Sequence, residues 1–129
     1  MAQVMSELTA GRKTTHWMWF VFPQIEGLGH SPMARHYAIR SLSEAEAYVR
    51  HDRLGSRLRA CTQLVNGTEG RSIRAILGSP DDLKFRSSMT LFSRASQENG
   101  LYIEALAKYF GGQEDAATVE KLSTGSNPR

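Results

Sequence analysis

The chain has 129 residues, enough for one hydrophobic core and too few for two ordinary domains. With 40% hydrophobic and 22% charged residues it has the composition of a folded protein. Its longest apolar run, Trp17 to Phe22, falls far short of the roughly 20 residues that a membrane-spanning helix needs. Of the 16 basic residues twelve are arginine, and a net charge of +3 built this way points to carboxylate or phosphate as ligand or partner, or simply to a solvated basic surface.

Ala and Leu number 25 against 10 for Val and Ile, which favours helices. In chain order, Val4, Met5 and Leu8 stand at helical spacing over residues 2–10, and Gly11 is suited to end that helix. The run 16–22 follows neither the helical nor the strand period, so it is expected to be the most buried stretch, with at least one Trp nearly inaccessible. Ser31-Pro32 reads as an N-cap with proline at the first helical position, opening a helix to about Arg40. Ser43-Glu44-Ala45-Glu46 reads as the capping box of the next helix. Asp52 is the expected cap of a further helix with Leu54, Leu58, Cys61 and Val65 on one face and Gly67 beyond it.

Ile73, Ile76 and Leu77 make a short helix ended by Gly78. Ser79-Pro80-Asp81-Asp82 combines cap, first-turn proline and two carboxylates at the positive end of the dipole, opening a helix to about Ser96 that offers Leu83, Met89, Leu91 and Phe92 to the core. Leu101, Ala105, Leu106 and Tyr109 line a helix halted at Gly111-Gly112, and Asp115 caps a last one through Leu122. The expectation is an all-α single domain of about seven short helices over residues 1–122, followed by a mobile polar tail, 123–129. The single Cys61 forms no internal disulfide, and with scattered histidines it offers no metal-binding spacing. The first residues carry no basic-then-apolar signal pattern, so a cytoplasmic address is expected and no membrane is involved.

Three blocks carry a resemblance. Gly11-Arg12-Lys13-Thr14-Thr15-His16-Trp17-Met18-Trp19-Phe20-Val21-Phe22-Pro23-Gln24 comes first, then Gly27-Leu28-Gly29 through Ser31 to Tyr37-Ala38-Ile39, then Asp82-Leu83-Lys84 through Ser87-Ser88-Met89-Thr90-Leu91-Phe92. In this order they resemble the bacterial family called domain of unknown function eighteen-ten, some of whose members are labelled calpastatin. The resemblance implies a small, cytosolic, all-helical protein and assigns no activity and no cofactor. Calpastatin-type inhibition belongs to disordered segments, which this chain does not resemble. Members of the family usually begin about one helix earlier, so an uncovered apolar face is expected beside residues 2–10 or the 16–22 block, with self-association through it.

Three constellations within the blocks are candidates for chemistry. The loop Gly27-Leu28-Gly29-His30 leads into a helix start at Ser31, where an anion is favoured, with Arg35 and Arg40 on the same helix; a tight turn plus a cap accounts for the same residues. Lys84 and Ser88, four apart, share a helix face with Ser87 and Thr90 nearby: a base and a nucleophile, a ligand-binding polar face, or structural hydroxyls. His16, Trp17, Trp19 and Gln24 offer a base, stacking faces and an amide, or part of the core. The candidate ligand set is therefore Trp17, Trp19, Gln24, Gly29, Ser31, Tyr37, Arg40, Lys84, Ser87 and Ser88, with His16, Lys84 and Ser88 as candidate catalytic groups.

The expected function is binding of an anionic small molecule, a nucleotide or phosphorylated metabolite, in one pocket joining the blocks. The alternative is an interaction module whose Arg-rich face binds an acidic protein. Arg50, Arg53, Arg57 and Arg59 do not favour nucleic acid, because Glu44, Glu46 and Asp52 stand among them.

Overall fold

In the computed structural model, which describes residues 1–125, nine helices among the described residues surround one core. They are α1 (Ala2–Thr9), α2 (Met18–Val21), α3 (Pro32–Tyr37), α4 (Leu42–Arg50), α5 (Asp52–Asn66), α6 (Ile73–Leu77), α7 (Asp81–Ala95), α8 (Gly100–Phe110) and α9 (Ala116–Gly125). The all-α class stands, and the count exceeds the expected seven partly because the aperiodic run contains the single turn α2.

Helix α7 is central, packed against α4, α6, α8 and α9. Every residue from Ser87 to Ser93 is buried, which no amphipathic helix allows. Small hydroxyl residues let neighbours approach from all sides, and three of the four tie their own polar atoms to the helix. Ser87 donates to the Leu83 carbonyl, Thr90 to that of Arg86 and Ser93 to that of Thr90. This stretch is more continuously buried than 16–22, where His16 is exposed and Trp19 and Phe20 are half-buried, although Trp17 is only 2% exposed.

Other boundaries shift for local reasons. Helix α3 stops at Tyr37 instead of Arg40, because Ala38 turns extended and Ile39 enters a parallel bridge with Ile25. In that bridge the Ile39 N–H donates to the Gln24 carbonyl at 2.9 Å, and the Glu26 N–H donates to the Ile39 carbonyl at 2.8 Å. The cap of α4 is Ser41, two residues before the expected box: its Oγ accepts from the Glu44 N–H, while Glu44 Oε1 accepts from the Arg40 N–H. His51, not Asp52, caps α5 through Nδ1, which accepts from the N–H groups of Arg53 and Leu54. The carbonyl of Pro80 accepts from the Lys84 N–H, so Pro80 is the N-cap of α7 in place of Ser79.

Leu83 falls on the outer side of α7 and is 55% exposed, away from the core it was expected to join. Helix α1 lays Val4 and Leu8 against the core beside α5, so it does not present the uncovered apolar face expected there. Asp115 caps α9 as expected, accepting from both the N–H and the hydroxyl of Thr118. That helix runs to Gly125, three residues past the expected boundary, and the rest of the expected tail lies outside the described residues.

Candidate functional site

A buried carboxylate positions the first block. Glu7 lies on the apolar side of α1 between Val4 and Leu8, 5% exposed. Its Oε1 accepts from the N–H groups of Thr14 (2.8 Å) and Thr15 (3.1 Å) and from Trp17 Nε1 (2.8 Å). Oε2 accepts from Gln3 Nε2 (2.8 Å) and the Thr15 hydroxyl (2.6 Å). Burial alone would push this carboxyl up, but the donors from Thr15, Gln3, Thr14 and Trp17 prevail and hold it well below the ordinary carboxylate range. Trp17 is thereby locked in the core, its ring 6.3 Å from that of Phe22. The Lys13 ammonium lies 5.3 Å from the Trp17 ring centroid and pairs with Asp81 at 2.8 Å, so the first block is tied to the start of α7.

This lock brings the three blocks to one cleft. Met18, Trp19, Phe22 and Gln24 from the first, Ala34 from the second and Lys84 from the third line it. Its cavity volume is about 10 Å³, room for about one water. Gly29 closes the second block onto it: a Cβ at Gly29 would stand 2.6 Å from Ala34 Cβ, and the nearest polar atom to it is Gln24 Oε1 at 3.6 Å. Lys84 is 3.6 Å from Asp81 on its own helix, so Lys13, Asp81 and Lys84 form a chain of charges with one positive charge in excess.

Of the candidate residues, then, Trp19, Gln24 and Lys84 share the cleft, with Gly29 behind it. His16 is exposed and is not among the residues lining it, so the expected convergence of His16, Gln24 and Lys84 fails in that member. Trp17 is core, its indole N–H already given to Glu7. The Ser31 hydroxyl accepts from the Ala34 N–H, acting as the cap alone. Tyr37 stands outside the cleft, its ring 4.8 Å from His36 and 6.0 Å from Phe20. Arg40 lines another concavity with Glu26 and Lys121 because the chain leaves the helix before it. Ser87 bonds back to Leu83, and Ser88, fully buried with no partner for its Oγ, is not among the residues lining the cleft that Lys84 lines, so a Lys84/Ser88 catalytic pair is not formed.

Sequence reasoning missed Glu7 and the Lys13–Asp81 pair. The signal for Glu7 was present: a carboxylate between two core positions of a helix needs donors, and two threonines follow within hydrogen-bonding reach.

The family described as "Protein of unknown function (DUF1810)" matches residues 1–122. The chain belongs to this family. The DUF1810 chain is also similar to a solved structure, the conserved hypothetical protein Rv1873 from Mycobacterium tuberculosis, at 59% identity and a TM-score of 0.93, covering 95% of this chain and 87% of that one. No curated protein matches this DUF1810 chain. Among its described residues no helix is long and apolar enough to cross a membrane, and no three His, Cys, Asp or Glu side chains stand where they could hold a metal ion.

Proposed function

We propose that the protein binds an anionic small molecule through a carboxylate or phosphate oxygen at the cleft where the three blocks meet. The observation that carries this reading is an uncommitted donor set. Trp19 Nε1 and the Gln24 amide have no hydrogen-bond partner among the described residues, and the Lys84 ammonium has only the longer approach to Asp81. Three side chains able to donate, one of them cationic, lining one small space suit an anion. The volume restricts what enters to the tip of the ligand. A nucleotide or phosphorylated metabolite is therefore held by its phosphate, with the remainder lying outside across Trp19, and a small carboxylic acid is held the same way. A cytoplasmic setting belongs to this proposal.

The alternative, an arginine-rich face for an acidic protein, has less support because several arginines are already engaged. Arg57 donates to the Phe20 carbonyl at 2.8 Å and lies over the Phe20 ring, Arg86 donates to the carbonyls of Gln113 and Glu114, and Arg94 pairs with Glu114.

Nitrogen–proton correlation spectra of the full chain, titrated with inorganic phosphate, acetate and adenosine monophosphate, test the proposal. Saturable shifts of the Trp19 indole and Gln24 amide signals are expected, with the Trp17 indole as an internal control held by Glu7. Lys84→Met should weaken the affinity by about tenfold or more. Unmoved Trp19 and Gln24 signals with all three anions, or an unchanged affinity in Lys84→Met, would overturn it.

A further inference from the structure

A second concavity, about 520 Å³, lies among α4, α5, the C-terminal end of α7 and the start of α8, and shares no lining residue with the cleft. Its size is that of an ordinary small-molecule site. Val49, Ala95 and Leu101 give it an apolar wall, and Arg50, Arg59, Glu46 and Glu98 stand around it. None of these four charged side chains has an ion-pair partner among the described residues.

Arg59 is anchored along one edge only: Nη1 donates to the Val49 carbonyl at 3.4 Å and Nη2 to Ser56 Oγ at 3.3 Å, leaving donors uncommitted. Gly55 makes that approach possible, because a Cβ there would stand 2.1 Å from the Val49 oxygen and 3.2 Å from Arg59 Nη1. Tyr102 also lines the concavity, 1% exposed, and its hydroxyl is buried with no hydrogen-bond partner. Buried hydroxyls are nearly always satisfied, and a ligand in the adjoining space is one way to satisfy this one. Burial pushes that hydroxyl up against the pull of Arg59, so it stays protonated and available as a donor.

We propose that this concavity binds a free α-amino acid with an apolar side chain. Its carboxylate meets Arg50 and Arg59, its ammonium meets Glu46 and Glu98, its side chain lies on Val49, Ala95 and Leu101, and the Tyr102 hydroxyl donates to the carboxylate. The choice of a zwitterion follows from charge balance. Two cations and two anions sum to zero around the concavity, so a phosphate or nucleotide would bring uncompensated negative charge against the two glutamates. The cleft of the three blocks has the opposite character, donors with excess positive charge, and the two sites are independent.

Calorimetric titration of the full chain with L-leucine and L-phenylalanine tests this, alongside isocaproate (leucine without its amine), isoamylamine (leucine without its carboxylate) and inorganic phosphate. Saturable binding of at least one amino acid is expected, with all three comparison compounds weaker by about tenfold or more. Arg59→Met and Glu98→Gln should each weaken amino-acid binding, the second at an exposed residue. Tyr102→Phe should weaken binding while leaving the melting temperature unchanged or higher, which separates a ligand contact from a structural role. Lys84→Met should leave it unaltered, keeping the outcome distinct from that at the cleft. The proposal is overturned if neither amino acid binds, if isocaproate or phosphate binds as tightly, or if Tyr102→Phe and Glu98→Gln both bind like the parent.

Discussion

Glu7→Gln is the sharpest probe of how the first block is held. The substitution preserves shape and removes charge. Oε1 receives three donors, and if the amide oxygen of the new side chain takes that position, its NH₂ group faces the Thr15 hydroxyl and the Gln3 amide, both of which can reorient to accept. The loss is then chiefly that of charge assistance. A hydrogen bond to a charged group contributes about 1 kcal/mol more than a neutral one, and three such bonds at Oε1, partly relieved where the Thr14 and Thr15 amides reach water, give a cost of about 2–3 kcal/mol at neutral pH. Against a total stability of about 5–15 kcal/mol this is readily measured by urea denaturation.

The pH dependence supplies a second readout. The native carboxyl is held well below its ordinary value of 4.5, so the unfolded chain binds this proton first on acidification. The contribution is therefore fully present above the unfolded value and is lost as pH falls toward the native one. The parent-minus-variant difference should be constant from about pH 7 to pH 5.5 and shrink by about pH 3. A cost below about 0.5 kcal/mol, or a difference that does not change over that range, would refute the account of Glu7 as a charged anchor.

Two further substitutions test the packing. Gly55→Ala should cost on the order of 3 kcal/mol, because the new Cβ would stand 2.1 Å from the backbone oxygen of Val49 and the α4–α5 corner must move; thermal unfolding near the parent's midpoint would show that the corner gives easily. Ser88→Ala should be neutral or stabilising by up to about 1 kcal/mol, since it removes a fully buried hydroxyl that has no partner; a loss above about 1 kcal/mol by denaturant titration would mean that the hydroxyl is engaged in solution.

Local signals were legible wherever the deciding interactions lie within a turn or so of the chain. Ser31, Gly78, Gly111 and Asp115 mark helix ends as their chemistry requires, and Leu58, Cys61 and Val65 form the buried face that their spacing announces. Capping was misread by one or two residues, as at Ser41 against Ser43, His51 against Asp52 and Pro80 against Ser79, where the path of the incoming chain chooses the acceptor. Convergence of the three blocks on a cleft, with Trp19, Gln24 and Lys84 on it, was partly visible as polar residues among aromatics.

The rest depended on approach in space. Periodicity along α7 cannot say that a helix is buried on every side, because that follows from how many neighbours surround it, and so Ser87 and Ser88 read as a reactive face when they are packing residues. Neither can spacing join Arg50 and Arg59 to Glu98 and Tyr102, which are separated by most of α5 through α7 and meet only when α8 folds back along α5. Helix class and helix ends come from hydrogen bonds a few residues long, which the order of side chains specifies directly. The sites come from contacts across the core, where the same side chain is a ligand group, a cap or a packing element according to what the fold sets beside it.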